Sequence, residues 1–150
     1  MKKILLSIAV SVAITMPGLV HSEGTATVNQ VVRPEVAERV KAYEGAEGTI
    51  VWTLRYGKPD EKKMIVQMTD IDHPWNKKIH LMNVDDVGTK KYVYTLVDGK
   101  KFTVLFFNSN GWGELNLPGE NKAIPIYYSK AYSSEGNAQA FLTDYLESDK

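Results

Sequence analysis

The chain has 150 residues, no cysteine, and 18 basic against 18 acidic side chains. This balance argues against nucleic acid and anionic membrane surfaces as partners, because both select strongly basic proteins. Without cysteine, we expect no disulfides, no thiol catalysis, no zinc finger and no acylated lipoprotein anchor.

The first 22 residues have the composition of a secretory signal peptide. Lys2 and Lys3 precede an apolar run of thirteen residues, 4–16, which is too short to be a permanent membrane helix. We expect cleavage near Ser22, and export of a cysteine-free chain favours the periplasm, with secretion as the alternative. No other apolar run approaches the ~18 residues of a membrane-spanning helix, so no membrane span is expected.

Cleavage there would leave 128 residues with 16 basic and 18 acidic side chains. Residues 23–31 are small and polar, which is typical of a flexible leader. Residues 32–150 are long enough for a single globular domain that buries about two-thirds of its unfolded surface.

The domain is predicted to begin with a helix. Pro34 fits a first helical turn, where its missing N–H costs nothing, and Gly45 is placed to end the helix. Val36, Val40 and Tyr43 follow at positions i, i+4 and i+7, so they share one helical face.

The apolar period then changes from helical to two, which predicts strands. Residues 49–56 and 63–69 alternate apolar and polar side chains and flank a turn-forming stretch, so they form a first hairpin. Residues 92–97 and 101–107 form a second hairpin, whose Asp98-Gly99 pair suits a type I′ turn. Residues 101–107 are apolar on both faces, which indicates a central strand covered on both sides.

The remaining elements are shorter. Residues 79–84 and 113–117 are further candidate strands, and residues 123–130 form a strand in which Pro125 predicts an edge position. Residues 137–147 carry an apolar stripe at helical spacing, with Ser133 or Ser134 as a cap. This order predicts an α+β fold in which N-terminal and C-terminal helices pack on a curved, mainly antiparallel sheet of about five to seven strands.

The stretch TDIDHPWNKKIH, residues 69–80, contains aspartates and both histidines that remain after the leader. Such side chains bind metals, but the two histidines are seven residues apart with Pro74 between them, and no metal motif is complete. No nucleophile elbow or converging carboxylate pair is evident either. We therefore expect no metal site, no cofactor and no catalytic residue, and favour a structural loop.

Two loops have the composition of recognition sites for a partner. Trp112 lies between glycines in a polar turn, and aromatic side chains in such settings anchor protein partners. The candidate partner-binding residues are Asn110, Trp112 and Glu114 in one loop and Asp72, His73 and Trp75 in the other. The alternative is that both tryptophans pack on the sheet and the glycines serve only the turn.

These features favour an exported binding or inhibitory protein. Its expected partner is another envelope protein, a cell-wall hydrolase or a toxin, which the loops would cover; the protein would then be an inhibitor or an immunity protein. The alternatives are a small envelope hydrolase or ligand carrier with a pocket between sheet and helix, and an accessory subunit of a secretion or surface-fibre apparatus. The predicted edge strand 123–130 would also permit a homodimer by strand addition.

Overall fold

The computed structural model describes residues 32–148. The predicted signal peptide and the predicted leader 23–31 lie outside the described residues. Within 32–148, no helix is both long and apolar enough to cross a membrane, in agreement with the sequence prediction.

Most of the described chain is β-strand. The strands are β1 (Lys41–Gly45), β2 (Ile50–Tyr56), β3 (Lys63–Thr69), β4 (Ile79–Val87), β5 (Lys90–Val97), β6 (Lys100–Phe107), β7 (Trp112–Leu115) and β8 (Ile124–Ser129). Two short 3₁₀ helices, Ala46–Gly48 and Pro59–Glu61, join β1 to β2 and β2 to β3. Two α-helices follow the last strand, α1 (Lys130–Glu135) and α2 (Ala138–Ser148).

The eight strands form a closed antiparallel barrel in which each strand pairs with its neighbours in sequence. The barrel closes where β1 pairs with β8, from Ala42 opposite Ser129 to Gly45 opposite Ile126. Eight strands enclose an interior that side chains can fill.

The predicted α+β architecture, with helices at both ends of a five- to seven-stranded sheet, is therefore wrong. The residues predicted as an N-terminal helix form an extended segment and then β1. Val36 makes a bridge to Tyr56, and the Ala37 N–H donates to the Arg55 carbonyl oxygen. Helical spacing was misleading here because β1 is buried on both faces: Tyr43 and Ala42 are neighbours, and both are buried.

Both predicted hairpins are confirmed, as β2–β3 and β5–β6. Asp98 and Gly99 have positive φ angles of 50° and 74°, as a type I′ turn requires. The C-terminal helix is also confirmed as α2. Its cap is Asn137, whose Oδ1 accepts from the Ala140 N–H at 2.9 Å, and neither predicted serine serves as the cap.

The prediction that β6 is covered on both sides fails because of a bulge. The register between β5 and β6 shifts after Val93, so Val104 and Leu105 both lie in the core although they are adjacent. Phe106 points outward and is only half-buried. The continuous apolar run thus combines a bulged inner face with one aromatic side chain on the outer surface.

The edge position predicted for residues 123–130 is also wrong, because β8 pairs with both β7 and β1. Pro125 lies one residue beyond the last β1–β8 pair, Gly45 with Ile126, so β8 keeps both neighbours. Among the described strands no free edge remains for the predicted homodimer or for docking to a fibre subunit.

Two apolar clusters stabilise the barrel. The larger one fills the interior with side chains such as Val51, Met82 and Leu115. The smaller one lies outside β2 and β3, where Phe141 of α2 packs with Leu54 and Ile65. The C-terminal helix therefore covers one side of the barrel and leaves the opposite side open to solvent.

The two ends of the barrel differ. The β3–β4 connection, residues 70–78, closes one end, where Ile71 is buried and Trp75 packs against the interior core. The other end, between the β4–β5 turn and the β6–β7 turn, contains an open cavity of about 480 Å³.

Candidate functional site

The side of the barrel that α2 leaves uncovered carries a row of outward-pointing aromatic residues. These four residues, here called the aromatic face, are Tyr92, Phe106, Trp112 and Tyr127 on strands β5 to β8. The strand registers place Tyr92 opposite Phe106 and Trp112 opposite Tyr127. Trp112 lies diagonally from Phe106, two residues along β7 from the position opposite it, so the row runs obliquely across strands β5 to β8.

Three rings of the aromatic face, those of Tyr92, Phe106 and Trp112, contact one another. Tyr92 and Phe106 have centroids 5.3 Å apart, and Phe106 meets Trp112 edge to face at 5.9 Å. The Lys90 Nζ lies 5.9 Å from the Phe106 centroid. Tyr127, opposite Trp112 on β8, is 58% exposed.

Glu114 lies within this aromatic surface, because it stands opposite Phe106 on one side and Pro125 on the other. Its side chain is half-buried. It forms no ion pair with any residue of 32–148. A carboxylate in such a setting provides an acceptor for a cation that approaches over the rings.

The turn before β7 fixes the position of Trp112. The Trp112 N–H is shared between the side-chain oxygens of Asn108 and Asn110, at 3.2 and 3.1 Å. Gly111 has a φ of 85°, which favours glycine, and its carbonyl oxygen accepts from the Tyr128 N–H. Asn110 therefore supports the aromatic face by orienting the backbone of Trp112.

Gly113 is required for a different reason. A Cβ at this position would lie 2.4 Å from the Phe106 carbonyl oxygen and 2.7 Å from the Phe107 ring. The glycines around Trp112 thus let the chain turn and pack closely, and they leave the indole itself half-buried on the surface.

The second predicted loop lies at the opposite end of the barrel from Asn110. The β3–β4 connection and the β6–β7 turn join strands at different ends, since each strand runs the full height between them. The structure therefore brings Asn110, Trp112 and Glu114 together and separates them from Asp72, His73 and Trp75. A role of this second loop in partner binding stays a prediction.

His73 and Trp75 make contacts inside the protein. The His73 Nδ1 accepts from the Trp75 N–H at 3.1 Å, so its Nε2 carries the proton and donates to the Pro118 carbonyl oxygen at 2.9 Å. This bond ties the β3–β4 connection to the β7–β8 connection. The Trp75 ring packs against His80 at 4.5 Å, and Asp72 is exposed.

His80 is the histidine that burial affects. Its Nε2 is buried and has no hydrogen-bond partner among the described residues. Burial, and then the positive charges of Lys78 and His73, lower the pKa of His80 from its usual value of 6.5. This shift favours the neutral form of the His80 ring.

No group of three or more aspartate, glutamate or histidine residues within 32–148 converges as a metal site. The aromatic face offers flat apolar area and three groups able to hydrogen-bond, and the neighbouring Glu114 adds a carboxylate. Such a surface can bind a partner and has no evident nucleophile or proton relay.

Sequence reasoning identified Trp112 and Glu114 but missed the rest of the aromatic face. Tyr92 and Tyr127 were predicted only as parts of strands, and Phe106 was assigned to a strand covered on both sides. The alternation of side chains along each strand could have predicted that these residues point outward, because each is adjacent to an inward-pointing residue such as Val93 or Ile126. Grouping them required the strand registers.

Comparisons with protein-family models, with curated proteins and with solved structures find no match to this chain.

Proposed function

We propose that this chain is a non-catalytic binding protein of the bacterial envelope that contacts another protein through the aromatic face. The proposed partner is a cell-wall hydrolase or a toxin, so that the protein serves as an inhibitor or an immunity protein. The uncovered row Tyr92–Phe106–Trp112–Tyr127 is the observation that carries this proposal.

The comparison between the two sides of the barrel supports this role. Outside β2 and β3, the aromatic residues Trp52 and Tyr56 are packed by Tyr132 and by Tyr145 of α2. On the opposite side, a similar density of rings has no covering element within residues 32–148. Contiguous exposed aromatic area of this kind is typical of protein-binding surfaces, where tyrosine and tryptophan supply much of the interface energy.

The carboxylate of Glu114 indicates the charge of the surface that the partner presents. Glu114 is half-buried among the rings and lacks a counter-ion in the described chain, so a partner that buries it without a cation would leave an unpaired carboxylate. An arginine or lysine of the partner can pair with Glu114 and lie over Trp112 at the same time. We therefore propose that the contacting surface of the partner is basic.

The proposal is tested by pull-down of the mature protein from envelope extracts, followed by affinity measurement with the purified partner. Trp112→Ala and Glu114→Gln are each expected to weaken binding at least about tenfold, because central aromatic and paired charged residues dominate interfaces. Leu81→Ala is the matched control, since Leu81 is an outward-pointing apolar residue on β4, away from the aromatic face.

The control should bind like the unmodified protein, and all three variants should keep the same unfolding midpoint in urea. Capture that is insensitive to Trp112→Ala would refute the proposed surface. Recovery of no stoichiometric partner would refute the proposed function. A partner that binds Glu114→Gln more tightly would show that its contacting surface is not basic.

A further inference from the structure

The open end of the barrel holds a cavity of about 480 Å³ that the proposed function does not use. We call this cavity and its rim the barrel mouth. Its charged lining residues are Arg39, Lys41, Arg55, Lys90, Lys91 and Asp86. Four positive charges and one carboxylate thus line a single concave site, while the Lys90 Nζ lies over the outward-pointing Phe106 ring.

The charges arise at inward-pointing positions of the strands. Tyr43, Val84 and Val93 point into the barrel, and two residues towards the mouth on the same faces come Lys41, Asp86 and Lys91. Inward positions of a small barrel are ordinarily filled by apolar side chains. Here the next inward-pointing residue on each of these strands, two positions towards the mouth, is charged. The charges therefore lie together at the opening, where water keeps them ionised.

Two of these four cations have an acidic partner among the described residues, and two do not. The Lys91 Nζ lies 3.8 Å from the Asp86 carboxylate, and an Arg55 Nη lies 3.2 Å from Glu35. Arg39 and Lys41 have no acidic partner among residues 32–148. Their mutual repulsion is relieved when an anion enters, which makes the mouth selective for negative charge.

The walls below the charges add hydrogen-bond donors and a flat floor. The Tyr43 and Phe107 rings stack at 4.4 Å, and burial raises the pKa of Tyr43 to about 12, so its hydroxyl stays protonated. Asn108 lines the cavity, and its Oδ1 already accepts two backbone N–H groups. Its amide N–H groups are therefore left to donate to a ligand.

The closed end of the same barrel shows that an opening is not a necessary result of the fold. There, Ile71 and Trp75 fill the space between the strand ends, and the neighbouring inward positions are apolar or held by internal hydrogen bonds. The two ends of the barrel therefore differ in both packing and charge: one is filled, and the other is an open cavity with charged residues at its rim.

We propose that the barrel mouth binds a small organic anion with two or more carboxylate or phosphate groups. The cavity falls in the range of about 300–1,000 Å³ that is typical of small-ligand sites. Arg39 and Lys41, which have no acidic partner among residues 32–148, can together with Arg55 and Lys91 engage two anionic groups at once, whereas a single carboxylate can satisfy only part of these cations. This site is separate from the aromatic face, so each can fail without the other.

The chain provides clean variants for the test. The Lys41 and Arg39 side chains make no hydrogen bond or ion pair with the described residues, so their replacement removes charge without breaking a contact. Arg55 is unsuitable, because it also bonds to Glu35 and to the Gly57 carbonyl oxygen. Lys100→Gln is the matched control: it removes one positive charge at the β5–β6 turn, which lies at the closed end.

The experiment is calorimetric titration of the full protein with citrate, with pyrophosphate and with acetate. We expect citrate or pyrophosphate to bind and acetate to bind at least about tenfold more weakly, since it can satisfy only part of the site. Preference between citrate and pyrophosphate then distinguishes a carboxylate ligand from a phosphate ligand. The double variant Arg39→Gln/Lys41→Gln should weaken binding at least about tenfold, and Lys100→Gln less than about twofold.

The absence of binding by both polyanions would overturn the proposal. So would equal weakening by Lys100→Gln and by the double variant Arg39→Gln/Lys41→Gln, because that result indicates only a general attraction to net charge. Equal affinity for acetate and citrate would likewise exclude a site for paired anionic groups.

Discussion

His80 is expected to make the stability of the closed end of the barrel depend on pH. It stacks on Trp75, and its buried Nε2 has no hydrogen-bond partner among the described residues. Protonation would place a charge in this apolar setting beside Lys78 and His73. The neutral form is therefore the one that the folded state accommodates.

We expect the free energy of unfolding to fall as the pH is lowered below about 6.5. Because the pKa of His80 is lower in the folded than in the unfolded protein, the unfolded chain binds more protons in this window. The contribution of His80 is fully present above its unfolded pKa and is lost as the pH decreases towards the folded pKa. Urea unfolding at pH 7.5, 6.5 and 5.5 measures it.

The matched variant for this measurement is His80→Phe, which keeps an aromatic ring against Trp75 and cannot be protonated. Its stability should depend less on pH between 7.5 and 5.5 than that of the unmodified protein. The same pH dependence in both proteins would show that other groups cause it.

At the scale of elements, α2 is the one helix that the sequence predicted well. Its apolar residues recur at helical spacing, and Phe141 and Leu142 are buried in the structure. The helix packs against the outer side of β2 and β3, where Leu54 and Ile65 would otherwise be exposed. Its stability depends on this packing, as for most short helices.

Phe141→Ala is expected to lower the free energy of unfolding by about 3–5 kcal/mol, because it leaves a cavity between α2 and the barrel. Urea unfolding followed by far-ultraviolet circular dichroism measures this loss. Asp144→Ala on the same helix is the control, since Asp144 is exposed, and it should change stability by less than about 0.5 kcal/mol. Similar effects of the two variants would contradict the docking of α2.

The hairpins were predictable and the barrel was not, for a physical reason. Hairpins depend on alternation and on a local turn, such as Asp98-Gly99, which a short stretch of sequence contains. Closure depends on β1 pairing with β8 more than 80 residues later in the chain. The sequence of β1 lacks the alternation of apolar and polar residues that is typical of a strand. Ala42 packs beneath α1, and the adjacent Tyr43 fills the interior, so both positions are apolar.

In the candidate sites too, features that depend on a short stretch of sequence were predictable, and features that depend on long-range strand pairing were not. Trp112 was recognisable because a tryptophan between glycines in a polar turn is unusual. The neighbours of Trp112 on the aromatic face and the charges of the barrel mouth come from separate strands. Their grouping depends on registers around a closed barrel, which no single stretch of the sequence specifies.

For the whole molecule, the pairing of β1 with β8 is the step that removes both edges of the sheet. Ser133 reinforces this seam: its hydroxyl accepts from the Ala42 N–H at 2.8 Å and donates to the Ser129 carbonyl oxygen at 2.6 Å. The Gly45 N–H bonds to Thr49 on the β2 side. By alternation along the strand, the Glu44 N–H faces β8.

Glu44→Pro should therefore open the seam, because it removes that N–H while the exposed side chain contributes little. We expect a loss of about 1–3 kcal/mol in the free energy of unfolding, because the β8 acceptor is left without its donor, and the appearance of dimers, since the freed edges can pair between chains. Glu44→Ala keeps the N–H and should remain monomeric, like the unmodified protein. Light scattering after size-exclusion chromatography distinguishes the two states. A Glu44→Pro variant that is monomeric and as stable as Glu44→Ala would show that β1 and β8 do not close the barrel in solution.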